Sequence, residues 1–123
     1  MARPPSMDPK LLIVEDDADL HLLYARVAKR VGFDVQSAQS GEHAMLMLNK
    51  LGDRIDALLT DIRLPGNVDG WALGKAFSQS RPQGSVIYVS GIEPDQAQRE
   101  GNTLFLQKPV HVSHLMAALR RIR

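Results

Sequence analysis

The sequence of 123 residues contains no cysteine, which excludes disulfide frameworks, thiolate zinc sites and thiol nucleophiles. No apolar run approaches 18 residues, so no membrane span is predicted. No apolar stretch follows the first charge at the N-terminus, so no secretory signal is predicted either. Neither sign of charge is in excess, with 15 Lys+Arg against 14 Asp+Glu, which argues against a strongly basic nucleic-acid surface or an acidic disordered tail. These absences favour a soluble cytoplasmic protein.

The length and the 44% apolar content are typical of one folded domain with a real core. Residues 1–9 hold three of the seven prolines and no periodic pattern, and we expect them to form a disordered leader. The folded domain is therefore predicted to occupy residues 10–123.

Two kinds of apolar pattern alternate along that domain. Runs typical of buried strands occur at Leu11–Val14, Ala57–Leu59, Val86–Val89 and Leu104–Leu106, with a weaker one at Phe33–Val35. Stripes with helical spacing start at Leu20, Ala44, Leu73 and Leu115; Ser40 is a candidate helix cap, and Gly32, Gly52 and Pro82 are candidate helix ends. A further helix over Pro94–Glu100 would have barely two turns. Strict alternation predicts a three-layer α/β/α fold, with a five-stranded parallel sheet between helices.

Polar groups follow four of these strands directly. They are Glu15-Asp16-Asp17, Thr60-Asp61, Ser90-Gly91 and Lys108-Pro109. Ligands of open α/β sheets bind outside the carboxyl ends of the strands, so we expect these groups to converge on one site.

The charges of that site predict its chemistry. Carboxylates packed together are costly unless a cation neutralises them, and Mg²⁺ commonly binds one or two carboxylates together with waters and phosphate oxygens. A lysine and a hydroxyl beside the carboxylates complete a site suited to phosphoryl transfer. A carboxylate can itself be the nucleophile, and Asp61, alone at the end of a central apolar strand, is the best-placed candidate.

Five motifs in order resemble the response-regulator receiver domain of two-component signalling, from Lys10 to the C-terminus. They are Leu-Leu-Ile-Val-Glu15-Asp16-Asp17, Leu-Leu-Thr-Asp61-Ile-Arg-Leu-Pro65-Gly66, Asp69-Gly70, Val-Ser90-Gly91 and Lys108-Pro109. The resemblance implies the flavodoxin-like strand order 2-1-3-4-5. It also implies a signalling switch rather than an enzyme, one that accepts a phosphoryl group on Asp61 from a sensor histidine kinase or a histidine phosphotransfer protein.

The same resemblance implies a metal site. Asp16 and Asp61 would bind Mg²⁺ directly, together with the backbone carbonyl of Arg63, and Glu15 would act through water. Mn²⁺ is expected to substitute for Mg²⁺.

The resemblance also assigns residues to the phosphorylated state. Ser90 would contact a phosphoryl oxygen, Lys108 would pair with the phosphate, and Phe105 occupies the family's aromatic switch position, although plain packing explains Phe105 equally well. The expected partners are the kinase or phosphotransfer protein and an unidentified downstream protein, without direct DNA binding. A homodimer is compatible with the sequence.

Three features depart from the family pattern. The loop after Asp61 has one residue more than usual, Ser90 and Lys108 are only eighteen positions apart, and Val110 stands where the family often has Phe. The short spacing predicts that the helix over Pro94–Glu100 is shortened or unwound.

Other interpretations fit this sequence less well than a receiver domain does. A phosphohydrolase with an aspartyl-phosphate intermediate would have Asp two positions after the nucleophile, where Arg63 stands. A receiver fold that only binds partners would have lost the acceptor, a metal carboxylate or the lysine.

Single motifs also have simpler interpretations. Asp16 and Asp17 could simply cap a helix. Three further motifs lack required residues. They are a phosphate loop at Gly70–Lys75, a calcium loop at Asp17–Asp19 and a zinc site at His111 and His114. Trp71 is predicted to be a local packing residue.

Overall fold

A computed structural model describes residues 7–91 and 103–123 of the chain. Strands and helices alternate along most of it, as the apolar pattern predicts. In chain order the elements are β1 (Lys10–Val14), α1 (Ala18–Val31), β2 (Asp34–Ala38), α2 (Gly41–Leu51), a single 3₁₀ turn (Gly52–Arg54), β3 (Ala57–Asp61), α3 (Gly70–Ser80), β4 (Ser85–Ser90), β5 (Thr103–Gln107) and α4 (Val112–Ile122).

The five strands form one parallel sheet in the order β2-β1-β3-β4-β5. This confirms the predicted α/β class and the flavodoxin-like strand order. β3 lies at the centre, and its register pairs Asp61 with Val89 of β4, while Ser90 pairs with Gln107 of β5. The carboxyl ends of β3, β4 and β5 are therefore level, which brings their polar residues to one edge of the sheet.

Two apolar clusters cover the two faces of the sheet. One contains Leu11 and Ile13 of β1 with residues of α1 and α4, and the other contains Leu12 and Val14 with residues of α2 and α3. Successive side chains of a strand point to opposite faces, so β1 is buried on both sides. The near-continuous apolar run of β1 reflects this two-sided burial.

β2 differs most from its predicted position. The apolar pattern indicates Phe33–Val35, but the strand is Asp34–Ala38, and only Ala38 in it is buried. β2 is an edge strand with one neighbour, β1. Its side chains contact less of the core, so polar residues are tolerated there and the apolar signal is weak.

The helix ends follow the capping residues of the sequence. Asp17 accepts hydrogen bonds from the backbone N–H groups of Asp19 and Leu20, which confirms the alternative that Asp17 caps a helix. Ser40 caps α2 in the same way, and Gly32 ends α1 in the left-handed conformation, with φ 111°. The N-caps Asp17 and Ser40 fix where α1 and α2 begin at the polar edge of the sheet, and Gly32 ends α1 at the opposite edge.

Two predictions lie wholly or partly outside the described residues. The helix predicted over Pro94–Glu100 falls in residues 92–102, and residues 1–6 of the predicted leader are also outside. The Pro9 carbonyl at the end of that leader accepts a hydrogen bond from the Asp34 amide at 2.9 Å. Within residues 7–91 and 103–123, no helix has the length and apolar character needed to cross a bilayer.

Candidate functional site

Asp61 ends the central strand and is nearly inaccessible to solvent, with 3% of its surface exposed. The next residue is held on both sides, because the Ile62 amide donates to the Val89 carbonyl at 3.1 Å and the Ile62 carbonyl accepts from the Gly70 amide at 2.7 Å. The backbone around Asp61 is thereby fixed to β4 and to the start of α3. Asp61 is thus a buried acid on a rigid part of the sheet.

Lys108, the residue directly after β5, supplies a cation to this acid. Its Nζ lies 3.1 Å from Asp61 Oδ1 and 3.7 Å from Glu15 Oε1. The Lys108 amide donates to the Ser90 carbonyl at 2.8 Å, which fastens the end of β5 to the end of β4. The predicted convergence of strand ends on Asp61 and Lys108 is therefore present.

Glu15 is the most buried acid of the first strand end, with 1% of its surface exposed. Its Oε2 accepts a hydrogen bond from the Asp17 amide at 3.0 Å, and its Oε1 faces Lys108. The Glu15 backbone carbonyl lies 3.0 Å from Nδ1 of His21. A carbonyl only accepts hydrogen bonds, so Nδ1 of His21 carries the proton there.

His21 belongs to the surroundings of the site without any motif in the sequence that predicts it. Its position in the sequence, one helical turn after Asp17, indicates only that it lies beside the strand end. Helical spacing alone does not say that a ring faces the strand rather than solvent.

Three acids converge on one point. Glu15, Asp16 and Asp61 each offer a carboxylate oxygen, and these oxygens all lie within 4.8 Å of one another. Asp16 is exposed, whereas Glu15 and Asp61 are buried. Among the described residues no donor makes a hydrogen bond to either carboxylate oxygen of Asp61, although Oδ1 is in ion-pair contact with Lys108. Buried carboxylate oxygens with spare acceptor capacity are what a hard cation requires.

Burial and mutual contact alter how the groups of this cluster ionise. Burial, and then contact with the Asp61 carboxylate, raise the pKa of Glu15 to about 8. Burial lowers the pKa of Lys108, but the carboxylates of Asp61, Glu15 and Asp16 outweigh it, so the pKa is raised overall. Glu15 thus holds its proton more strongly than an ordinary carboxyl group does, as expected for acids that are crowded together without a cation. A divalent cation fits the point where the three acids converge.

Ser90 and Arg63 border the same pocket. A cleft of about 290 Å³ is lined by Asp61, Arg63, Val89, Ser90, Gly91 and Lys108. Ser90 is half-buried and Arg63 is exposed. Because one water occupies roughly 30 Å³ of liquid, the cleft has room for a phosphoryl group beside Asp61 together with waters.

Phe105 belongs to a cluster of three aromatic rings near the pocket. Its ring is stacked on Tyr88 with centroids 5.3 Å apart, and it lies 5.9 Å from the ring of Trp71. The Trp71 and Tyr88 centroids are 4.6 Å apart. Trp71 therefore packs locally, as predicted, but it packs against the predicted switch residue, which its position in the sequence did not reveal.

The rejected motifs have ordinary structural roles. Residues 70–75 form the first turns of α3 rather than a phosphate loop, and Asp17 is a helix cap rather than the start of a calcium loop. His111 and His114 are exposed and contact each other edge to face.

Comparison with known proteins agrees with this geometry. The family model of the response regulator receiver domain matches residues 11–120. The chain therefore belongs to this family, whose members are phosphoacceptor regulators of two-component systems and bind Mg²⁺ at an acidic pocket.

Individual relatives show the same resemblance. The chain is 27% identical over 116 residues to the sensor kinase CckA of Brucella abortus (strain 2308), covering 91% of this chain and 12% of CckA. It is 33% identical over 116 residues to the transcriptional regulatory protein CpxR of Escherichia coli (strain K12), covering 92% of this chain and 48% of CpxR. The crystal structure of a response regulator receiver protein from Sinorhizobium medicae WSM419 superposes with a TM-score of 0.86 at 26% identity, covering 94% of each chain. The chain thus spans about an eighth of the length of CckA and about half of the length of CpxR.

Proposed function

We propose that this receiver domain is a phosphorylation-dependent switch and that Asp61 is its phosphoacceptor. The observation that supports this most directly is the buried Asp61 carboxylate, with a lysine Nζ 3.1 Å from Oδ1 and two further acids within reach of one cation. A carboxylate in that setting is rigidly placed, and phosphoryl transfer depends chiefly on positioning and charge neutralisation.

The transfer step requires little covalent chemistry from the protein. An Asp61 carboxylate oxygen attacks the phosphorus of a phosphohistidine on the partner, a P–O bond forms, and the P–N bond to the imidazole breaks. The electron pair of the P–N bond stays on the imidazole nitrogen. The Lys108 ammonium, already beside Oδ1, neutralises part of the charge that accumulates on the phosphoryl oxygens.

The acidic residues would hold the metal required for this step. Asp16, Asp61 and the Arg63 backbone carbonyl would be direct ligands of Mg²⁺, or of Mn²⁺ in its place, and Glu15 would act through water. The cation, when bound, neutralises phosphoryl charge and orients the incoming group. Asp61 serves both as metal ligand and as nucleophile, so metal binding and phosphorylation depend on the same carboxylate.

Phosphorylation then changes the charge and size of one buried side chain. Asp61 becomes a bulkier, nearly dianionic group, which the Ser90 hydroxyl and the Lys108 ammonium would contact. Ser90 ends β4 and Lys108 follows β5, so their movement would alter the surface at the carboxyl ends of these strands. Such a local charge change biases a two-state surface.

The remaining parts of the proposal concern the context of the domain. We infer a sensor histidine kinase or histidine phosphotransfer protein as phosphodonor, a downstream protein as target, no direct DNA binding by this domain, and a cytoplasmic location. The domain is proposed to be a regulator that assists its own phosphorylation, not an enzyme with turnover. Arg63, in place of a second aspartate, supports a regulator over a phosphohydrolase.

The experiment is labelling with a small acyl phosphate and Mg²⁺. We expect the wild-type chain to take up at most one phosphoryl group per molecule as a hydroxylamine-sensitive acyl phosphate, and Asp61→Asn to take up none while it retains its circular dichroism spectrum. Asp53→Asn, an exposed acid in the 3₁₀ turn before β3 and therefore at the opposite end of that strand from Asp61, is the matched control. Undiminished labelling of Asp61→Asn would refute the assignment, and many equivalents of phosphate released per chain would favour the phosphohydrolase.

A further inference from the structure

The loop of residues 63–69, between β3 and α3, carries the proposed backbone ligand of the cation. Its two ends are tied together, because the Gly70 amide donates to the Ile62 carbonyl at 2.7 Å. This bond fixes where the loop begins and ends. It does not fix the path of the backbone between those points, which includes the carbonyl of Arg63.

The outer part of the loop is held by α2. The Glu42 Oε1 accepts a hydrogen bond from the Val68 amide at 3.3 Å, although the two residues are 26 positions apart. Leu64 and Val68 are partly buried against the apolar cluster that contains Ala44 and Leu48 of α2. The loop therefore rests on the first turns of α2, and Glu42 is the polar part of that contact.

Two glycines allow this close approach. Gly66 has φ +92°, and a Cβ built on it would lie 2.3 Å from Glu42 Oε2. A Cβ built on Gly41, the first residue of α2, would lie 2.0 Å from the Val68 carbonyl oxygen. A side chain at position 41 would meet the loop backbone and push the loop away from α2, whereas one at position 66 would displace the Glu42 carboxylate. Loop and helix are thus in contact through backbone and carboxylate, with no space between them.

We propose that Glu42 is a positioning residue for the metal site. By binding the Val68 amide, it holds the loop on α2 and so keeps the Arg63 carbonyl in place for the cation. This inference rests on the proposed function, since it needs Arg63 as a metal ligand. Glu42 itself does not contact the cation or the phosphoryl group.

The role differs from a general effect of negative charge. Glu42 is an exposed acid in the first turn of a helix, where a carboxylate also favours the helix dipole. A glutamine at this position loses the charge but keeps an oxygen that accepts from the Val68 amide. Glu42→Gln and Glu42→Ala therefore separate the hydrogen bond from the charge.

The experiment measures Mg²⁺ affinity by titration calorimetry, with the fluorescence of Trp71 as a second signal. An intramolecular hydrogen bond contributes modestly to a conformational equilibrium, so we expect Glu42→Ala to weaken Mg²⁺ binding by about threefold to tenfold. Glu42→Gln should stay within about twofold of the wild type. Asn49→Ala, an exposed residue at the other end of α2, is the control and should bind Mg²⁺ as the wild type does.

Labelling rates distinguish positioning from loss of structure. At saturating Mg²⁺, Glu42→Ala should be phosphorylated by the acyl phosphate at the wild-type rate, because the site is intact once the cation is bound. A variant in which part of the protein is unfolded would instead reach a lower final extent of labelling at every Mg²⁺ concentration. Unfolding curves without Mg²⁺ measure the stability cost of each variant separately.

A double-mutant cycle tests the contact itself. Gly66→Ala should weaken Mg²⁺ binding in the wild type, because its Cβ would displace the Glu42 carboxylate and its backbone is strained at positive φ. In the Glu42→Ala background the carboxylate is gone, so the same substitution should have a smaller effect. Equal effects in both backgrounds would mean that Glu42 and the loop are not coupled, which would overturn the proposal.

Two other results would also overturn it. One is a Glu42→Ala variant with wild-type Mg²⁺ affinity, and the other is a Glu42→Gln variant as weak as Glu42→Ala, which would assign the effect to charge. A wild-type chain that neither binds Mg²⁺ nor accepts phosphate would instead contradict the proposed function, so the two failures are distinguishable.

Discussion

The Nζ of Lys108 and the Oδ1 of Asp61 are 3.1 Å apart, although 47 positions separate the two residues and they come from different strand ends. The same Nζ is 3.7 Å from Glu15 Oε1. One ammonium therefore faces two buried carboxyl groups. It competes with a bound cation for them, but it would pair with an anionic phosphoryl group on Asp61. This arrangement predicts that Lys108 has opposite effects on the two states of the domain.

Removing that ammonium should separate metal binding from the response to phosphorylation. We expect Lys108→Ala to bind Mg²⁺ as tightly as the wild type or severalfold more tightly, because the acids lose their competing cation. The phosphorylated conformation should be weakened, because the phosphate has lost its ammonium partner. Calorimetry measures the first effect, and the spectral difference between phosphorylated and unphosphorylated protein measures the second.

The control for this experiment is Lys50→Ala, an exposed lysine at the end of α2. It should match the wild type in both measurements. A Lys108→Ala chain that responds to phosphorylation normally would show that Lys108 is not needed for the switch.

The raised pKa of Glu15 predicts how stability depends on pH. The pKa is about 8 in the folded chain against an ordinary value of 4.5, so between these values the folded state keeps a proton that the unfolded state has released. Unfolding then releases a proton, and the free energy of unfolding decreases as pH rises through this window. We expect the Mg²⁺-free protein to lose stability from about pH 5 to pH 8, measured by denaturant unfolding in the presence of a chelator.

The Glu15→Gln variant and added Mg²⁺ test whether Glu15 causes this pH dependence. Glu15→Gln cannot titrate, so it should lose most of the pH dependence and be more stable than the wild type near pH 8. Mg²⁺ should stabilise the wild type more at pH 8 than at pH 5.5, because it replaces the proton among the carboxylates. If Glu15→Gln kept the full slope, another group would be responsible.

The sheet and the centre of the site were predictable from the sequence for a simple reason. Buried parallel strands are recognisable as apolar runs, and in a parallel sheet the carboxyl ends of all strands lie at the same edge. Asp61 and Lys108 follow two of the clearest runs, so their meeting could be inferred without any knowledge of loops. The offset of β2 marks the limit of this reasoning, because an edge strand with one buried residue has little apolar signal.

The contacts around the site could not be predicted in the same way. Helical spacing places His21 near Asp17 but does not say that its ring binds the Glu15 carbonyl. The pairing of Glu42 with the Val68 amide depends on how closely a loop approaches a helix, which is decided by packing. Such contacts between segments distant in the chain have no local pattern in the sequence.

The buried hydroxyl of Tyr24 gives a prediction about stability. Tyr24 is 2% exposed, and within the described part of the chain its hydroxyl has no hydrogen-bond partner. Burial, together with the charges of Glu15 and Asp61, raises its pKa, so the hydroxyl stays protonated. Removing an unsatisfied polar group avoids its desolvation cost, and we expect Tyr24→Phe to leave stability unchanged or raise it by up to about 1 kcal/mol.

Denaturant unfolding with and without Mg²⁺ tests this expectation, and Tyr24→Leu is the comparison. The leucine variant loses the aromatic ring from the core and should be destabilised by about 1–3 kcal/mol. A clear loss of stability in Tyr24→Phe would mean that the hydroxyl has a partner that stabilises the fold.

The aromatic cluster offers a direct test of whether Phe105 moves. Trp71 is the only tryptophan of the chain, and its ring is 5.9 Å from that of Phe105. A change in the position of Phe105 would alter the surroundings of the indole, so phosphorylation in the presence of Mg²⁺ should change the emission of Trp71. In Phe105→Leu this change should be much smaller, while labelling of Asp61 remains complete. Leu106→Val, which alters the opposite face of the same strand, should retain the full emission change. A full change in Phe105→Leu would mean that Phe105 only packs, and that the indole responds to Asp61 through the start of α3 instead.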